Sequence, residues 1–478
     1  MSTSQRVLRN ATLLATQTIS SVVISVLVNG YIAKKLGPSD YGKFVFGFSF
    51  ATIFSIFSDL GLYGWGVREI ARHREKTAEI LGDIVAIRTV LSLLVFGVIC
   101  FAVNALRLPE STRLVVYIGS ASVVLLGCQF ANTWIVFEAH ESAKFEGTSN
   151  LICRFLVGAL SIMAVYHGFG FIQVSLIYML GYGTEVIYCF IILKRHFVLP
   201  RFHISFKKYV YEIKAALPFA FLSLFTIVYY EIDKNMLAFI KGDTSVGLYN
   251  AATTIVYKCA IISGALAIAI LPPMINDFKV SAEKLGDNVS HMIPLLLMLG
   301  IPISIVGTVF APDIIHLIYR SSDYSASVLT LQILIWMVPF EFLSHILRFS
   351  LIAADKQIAA TFISGITVFI NICLNVVFIT RFDFNGAALA TVVAEATSVM
   401  LLLAYFTINI VRIQVNIKMV AVITAGILTG ICTYFLHRVV NLWSFPVGAS
   451  FYLIQILLFR ILSKDDLKVL ISAFRSES

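Results

Sequence analysis

The chain has 478 residues, is 59% hydrophobic, carries only 13% charged residues and has a formal net charge of +9. So few charges cannot cover a water-facing surface of this size, which excludes a soluble globular protein and makes lipid the solvent for most side chains. The basic excess is then read through loop placement rather than as an affinity for nucleic acid.

A run long enough to cross the hydrocarbon layer needs about 20 residues. Such spans are expected near 12–33, 44–65, 84–104, 114–137, 149–166, 172–193, 215–240, 248–273, 291–318, 328–352, 358–380, 386–409, 419–436 and 445–462. The fold class is therefore all-α and polytopic, with about fourteen transmembrane helices. The opening run lacks a small-residue cleavage site after a short apolar core and reads as a retained span. Pro272 and Pro273 are expected to end span 8, and Pro294, Pro302 and Pro339 to kink spans 9 and 10.

Counted by loop, 22 lysines and arginines fall on the side of the N-terminus and 9 on the other. The positive-inside rule then puts both termini in the cytoplasm. The seven cysteines sit in apolar runs without C-x-x-C spacing and read as small buried hydrophobes. Histidines show no metal spacing, and no glycine loop with lysine or nucleophile–base pair occurs. No catalytic residue, cofactor or metal site is expected, and the chain does not read as an enzyme.

Two stretches repeat. YIAKKLGPSDYGKF (31–44) and MLAFIKGDTSVGLY (236–249) each leave a span, turn at a glycine and re-enter after a second glycine. Gly37 and Gly242, like Gly42 and Gly247, lie 205 residues apart. EAHESAK (138–144) and AADKQ (353–357) correspond at an offset of about 214. Spans 1–6 thus repeat as 7–12, in parallel because six is even. The expected organisation is an N-terminal lobe over 1–193, an amphipathic cytoplasmic linker over 194–214, a C-terminal lobe over 215–409, and two further spans with a cytoplasmic tail over 410–478. The linker is expected to lie on the inner surface with Lys207, Lys208 and Tyr209 near the headgroups.

Five cations remain inside spans: Arg88, Arg154, Lys234, Lys258 and Arg348. Each costs roughly 2.5–3.5 kcal/mol at a span centre unless paired or hydrated. Carboxylates of the same zone are Asp59, Glu185, Glu231, Asp233, Glu341 and Glu395, enough to pair every cation. Glu231 and Lys234, at i and i+3, can meet on one helix face. Asp233 points about 200° away from Glu231 and needs another cation such as Lys258, a proton, or a bound ion. Asp59, ahead of Gly61, Gly64 and Gly66, marks a hinge or a satisfied helix end. None of Arg88, Arg154, Lys258 and Arg348 has a charged counterpart in the other half, as a purely fold-holding charge would.

LGPSDYGKF (36–44), DLGLYGWGVREIAR (59–72) and EIDKNMLAFIKGDTSVGLYNAA (231–252) resemble the polysaccharide flippases, the O-antigen and exopolysaccharide transporters related to multidrug-and-toxin extrusion proteins and lipid II flippases. The resemblance implies two six-helix lobes around a central cavity in the inner (plasma) membrane. Its implied cargo is an undecaprenyl-pyrophosphate-linked oligosaccharide moved from inner to outer leaflet, with a polysaccharide polymerase and chain-length proteins as partners beside membrane lipids. Such a cargo needs fixed cations for its pyrophosphate, for which Arg88, Arg154, Lys258, Arg348 and Lys234 are the candidates. Asp233, Glu231 and Asp59 are the candidates for coupling to H⁺ or Na⁺, since a carboxylate near the midplane takes a proton readily. A multidrug or cation antiporter of the same superfamily and a lipid II flippase stay open as alternatives. A membrane glycosyltransferase would need acidic metal ligands on a polar loop, and the outer loops carry none.

Overall fold

The computed structural model describes residues 3–142, 144–414 and 417–458, with side chains from residue 20 onward apart from 260–262, 265, 268 and 269. The expected tail beyond 458 and the side chains of Arg6 and Arg9 lie outside it. Fourteen long helices carry the chain, and no strand occurs among the described residues. With no water in the bilayer core to satisfy backbone groups, a chain this apolar must close its hydrogen bonds within each segment.

Helices α1 (3–36) and α2 (38–59) meet at Gly37, where φ is 75°. After the short helix Leu62–Arg72 come α3 (Thr77–Ala105), α4 (Glu110–Ala139), α5 (Lys144–Tyr166), α6 (Phe171–His196) and α7 (Phe206–Ile240). Then follow α8 (Asp243–Val280), α9 (Ala282–Val309), the short helix Ala311–Tyr319 and α10 (Ser327–Ala353). Helices α11 (357–382) and α12 (384–409) meet at Asp383, with φ 55°. The last pair is α13 (Ile417–Val440) and α14 (Ser444–Leu458).

Packing divides the chain into two units, Arg9–Asn250 and a second made of Met1–Leu8 with Ala251–Ser478. In the first, α5 lies along α6, and α4 packs on α3 and α6. In the second, α9 is the hub: Leu295, Met298, Ile301 and Ile305 meet Val422 and Ala425 of α13 and Tyr452 and Ile456 of α14.

The internal repeat is written in backbone geometry. Turns with positive φ recur in order at Gly37 and Gly242, Arg107 and Arg320, Glu141 and Asp355, and Gly168 and Asp383. After α4, the N–H groups of His140, Glu141 and Ser142 donate to the carbonyls of Val136, Glu138 and Phe137. After α10, those of Ala354, Asp355 and Lys356 donate to Ser350, Ile352 and Leu351, each residue shifted by the same 214 positions. The two glycine turns also touch each other reciprocally. A Cβ on Gly42 would lie 1.8 Å from the Asp243 carbonyl oxygen, and one on Gly247 2.0 Å from that of Pro38. Pro38 and Asp243 are themselves 205 apart, so equivalent positions exchange equivalent contacts. No side chain fits at either glycine. Gly247→Val is expected to remove most folded protein from the membrane, by backbone collision; fluorescence-detected size exclusion of the solubilised protein checks it.

Two expectations need correction. Pro272 and Pro273 do not end α8, which runs through them to Val280. Proline removes an N–H and bends a helix, and near an aqueous face the orphaned carbonyls can hydrate, so the helix survives. Lys208 is not free for headgroups: its ammonium pairs with the Asp83 carboxylate. Pro294 and Pro302 lie within the continuous α9, whereas α10 is broken at 335–336, just before Pro339.

The break after α2 belongs to the first half alone. Leu60 and Gly61 both take positive φ, whereas α8 continues unbroken through the corresponding region. At Gly61 the Ala216 carbonyl of α7 would stand 2.3 Å from a Cβ. Backbone conformation and close approach both require glycine there.

Candidate functional site

The break is held by the first of the candidate residues. Asp59 accepts hydrogen bonds from the Gly61 N–H at 3.0 Å and the Tyr63 N–H at 3.1 Å, capping the short helix Leu62–Arg72. Its Oδ1 also lies 3.2 Å from Arg88 Nη2 of α3. Arg88 is 4% exposed, and its Nη1 donates to Asn132 Oδ1 of α4 at 2.6 Å. Asp59 and Arg88 are thus brought together, with the carboxylate serving cap and ion pair at once.

In α7 the stretch YYEIDKN sits as its spacing requires. Lys234 Nζ is 2.6 Å from Glu231 Oε2, the i, i+3 pair. Asp233 is fully buried on the other side of the helix and accepts from the Tyr249 hydroxyl of α8 at 2.5 Å. Asn235 donates to Ser49 Oγ of α2 at 2.8 Å and to the Glu231 carbonyl. Tyr249 and the Asn235–Ser49 pair thus tie this turn to α8 and α2.

Arg154 stands apart from both clusters. It lines a cavity of about 300 Å³ walled by α1, α4, α5 and α6, with Ser25, Asn29, Asn150, Tyr178, Tyr182 and Glu185 as polar neighbours. Its Nε donates to Asn150 Oδ1 at 2.5 Å, which also accepts from Ser21. Tyr178 donates to Asn29, and Glu185 accepts from Ser149. Among the described residues no carboxylate lies within ion-pair distance of Arg154. Its Nε is held by Asn150, and the side chain lines the cavity together with Glu185. A guanidinium held at one nitrogen can still accept an anion at its others.

In the second unit, Lys258 of α8 and Arg348 of α10 are both half-buried. Arg348 Nε is buried without a hydrogen-bond partner among the described residues. Glu341 and Glu395 are buried in the same unit. A separate apolar cavity of about 600 Å³ lies between α9, α13 and α14, lined by Met298, Pro302, Phe310, Phe445 and Tyr452 among others.

Charge counting missed the amides and hydroxyls that complete these sites: Asn132, Asn150, Asn235, Ser49 and Tyr249. Their signal was present as asparagine inside apolar runs, since a polar residue in lipid is placed to bond across helices.

Comparison with known proteins agrees with this architecture. The family model "Polysaccharide biosynthesis protein" matches residues 7–278, and that of "Lipid II flippase MurJ" matches 147–455, each more than half of the chain. An Escherichia coli (strain K12) protein named as an O-antigen transporter is 24% identical over 340 residues, covering 68% of this chain and 78% of the relative. A solved structure of the lipid II flippase MurJ in an inward closed conformation superposes with a TM-score of 0.79 at 15% identity, over 94% of this chain and 99% of that one. An inward-facing multidrug resistance MATE family transporter gives 0.63 at 14% identity, over 84% and 98%. Relatives of these kinds are transporters and flippases, not enzymes. Fourteen helices, a parallel repeat read from its turns and a family match across more than half the sequence lead to one statement: this chain is a multi-pass membrane transporter that belongs to the polysaccharide biosynthesis protein family.

Proposed function

We propose that the protein flips a lipid-linked oligosaccharide of the undecaprenyl-pyrophosphate class from the inner to the outer leaflet by alternating access, driven by an H⁺ or Na⁺ gradient. The observation that carries this is Arg154, an arginine on a polar cavity wall with no carboxylate within ion-pair distance among the described residues. A pyrophosphate must shed water to cross, and a fixed guanidinium replaces that water bidentately. Arg348, Lys258 and Lys234 are further cations along the path, and Arg88, paired in this conformation, would join them if the Asp59 contact opens. Asp233, with Glu231 and Asp59 as secondary candidates, takes the coupling ion. The loop distribution of basic residues supports cytoplasmic termini and an inner-membrane location.

The lipid II flippase reading has support of its own in the MurJ family match over 147–455. It shares the lipid-pyrophosphate chemistry and differs in the head group. A drug antiporter for cationic cargo fits the arginines poorly.

Arg154→Ala is expected to reduce surface-polysaccharide export at least tenfold with normal protein in the membrane. Arg154→Lys should recover part of it, because charge remains while the fork geometry is lost. Wild-type export by the alanine variant removes Arg154 from the cargo path. Disappearance of that variant from the membrane assigns it to the fold instead.

A further inference from the structure

We propose that Asp83 of α3 and Glu212 of α7 form a proton-binding carboxyl pair, taking one proton between them at the foot of the two helices beside the segment 197–205. Asp83 is 1% exposed and Glu212 is 3% exposed. The two carboxyls converge on one ammonium, that of Lys208. Lys208, one turn before Glu212, contacts Asp83 Oδ2 and stands 3.9 Å from Glu212 Oε1. Asp83 Oδ1 and Glu212 Oε2 are both buried and have no hydrogen-bond partner among the described residues. Each carboxyl therefore presents an orphaned oxygen in a place closed to water.

The surroundings withhold solvent. Ile80, Leu81, Ile84 and Ala216 belong to the apolar cluster here, with Ile213 packed on it. The segment 197–205 lies over the start of α3. The Arg201 N–H donates to the Ala78 carbonyl at 2.7 Å, and the Arg201 carbonyl would stand 1.9 Å from a Cβ on Gly82. Lys208, with its side chain 42% exposed, is the opening toward water. Further groups facing the pair are Glu79 of α3, Glu69 of the short helix Leu62–Arg72 and the phenol of Tyr209. None of these is a cation.

Charge counting then gives the ligand. Two buried carboxylates and one ammonium leave a net negative charge in a dry place, and the nearby acids deepen it. Two buried carboxyl groups that share a single ammonium cannot both ionise cheaply, so the pair takes up one proton. Two carboxyl groups are also too few donors for a metal ion, and no group of three or more metal-ligating side chains occurs among the described residues. In the protonated state a Glu212–Asp83 hydrogen bond satisfies both orphaned oxygens and ties the foot of α7 to α3. When the proton leaves past Lys208 into water, two anions face each other and that tie is lost. Because α7 also carries Glu231, Asp233 and Lys234, proton binding here acts on the helix of the charged site.

The test reads proton binding rather than transport, so its failure leaves the flippase reading standing. The full-length protein in lipid nanodiscs is stepped from acid to alkaline pH while difference infrared spectra record the protonated-carboxyl C=O stretch. The wild type should show a band that disappears on crossing neutral pH, and Glu212→Gln and Asp83→Asn should each lack it. Persistence of every such band in both variants overturns the proposal. Where those variants fail to accumulate, Lys208→Met decides. Removing the ammonium that both carboxyls contact should move the titration to higher pH by at least one unit, and an unmoved titration overturns the pair.

Discussion

Arg88→Ala is expected to deplete the folded protein, with the loss arising in the fold before any effect on cargo. Arg88 is buried between the Asp59 carboxylate at 3.2 Å and Asn132 Oδ1 at 2.6 Å. Removing it leaves a carboxylate without its cation in a mostly buried place, which costs about 3–5 kcal/mol. Asp59 meanwhile caps the Leu62–Arg72 helix, so its orientation fixes where the chain turns after α2. Lysine at 88 keeps the charge but cannot send two fixed N–H groups to Asp59 and Asn132 together, and should recover only part of the stability. Asp59→Asn combined with Arg88→Met should recover more: the amide oxygen still caps, and no charge is stranded. Thermal unfolding of the purified variants is the measurement. An Arg88→Ala protein as stable as wild type contradicts the ion-pair account of the break.

Asp233→Asn is expected to do the opposite, sparing the fold and removing the response to the gradient. The Tyr249 hydroxyl that reaches Asp233 at 2.5 Å is a donor, and an amide oxygen can accept from it as a carboxylate does. Asparagine cannot take up or release a proton, so under the proposed coupling the alternation would lose its drive. Proteoliposomes with and without an imposed pH or Na⁺ gradient should show gradient-independent, much slower flipping for Asp233→Asn at unchanged thermal stability. A stable variant that still follows the gradient in full assigns coupling to another residue. Glu231 is the weaker candidate because it is already engaged in the ion pair with Lys234 at 2.6 Å.

Much of this architecture was legible because lipid imposes simple rules. Apolar run length fixed the helix count, since a segment in hydrocarbon has no choice but to be a helix. The 205 and 214 offsets were readable because each marks a turn that repeats its backbone hydrogen bonds, and glycines at 37 and 242 advertise positive φ. The i, i+3 spacing of Glu231 and Lys234 predicted their contact from helix geometry alone. Long-range partners were not legible. Nothing local in the sequence says that Arg88 meets Asp59 and Asn132, or that Lys208 meets Asp83 across 125 positions. Pro272 and Pro273 misled because the stopping power of proline depends on whether the freed carbonyls can find water. Asn150 beside Arg154 was overlooked because uncharged amides were not counted among the polar residues of the spans.

The central claim, that this transporter moves a lipid-pyrophosphate glycan, is tested most directly by reconstitution. Purified protein is placed in vesicles containing an undecaprenyl-pyrophosphate-linked oligosaccharide with a tagged glycan, and glycan exposure at the opposite leaflet is followed with an impermeant probe. The same vesicles are challenged in parallel with a cationic dye. Wild-type protein should expose the glycan well above protein-free vesicles, Arg154→Ala should fall close to that background, and the dye should not be moved. Dye transport without glycan exposure would contradict the account and make the protein a drug antiporter on the same fold.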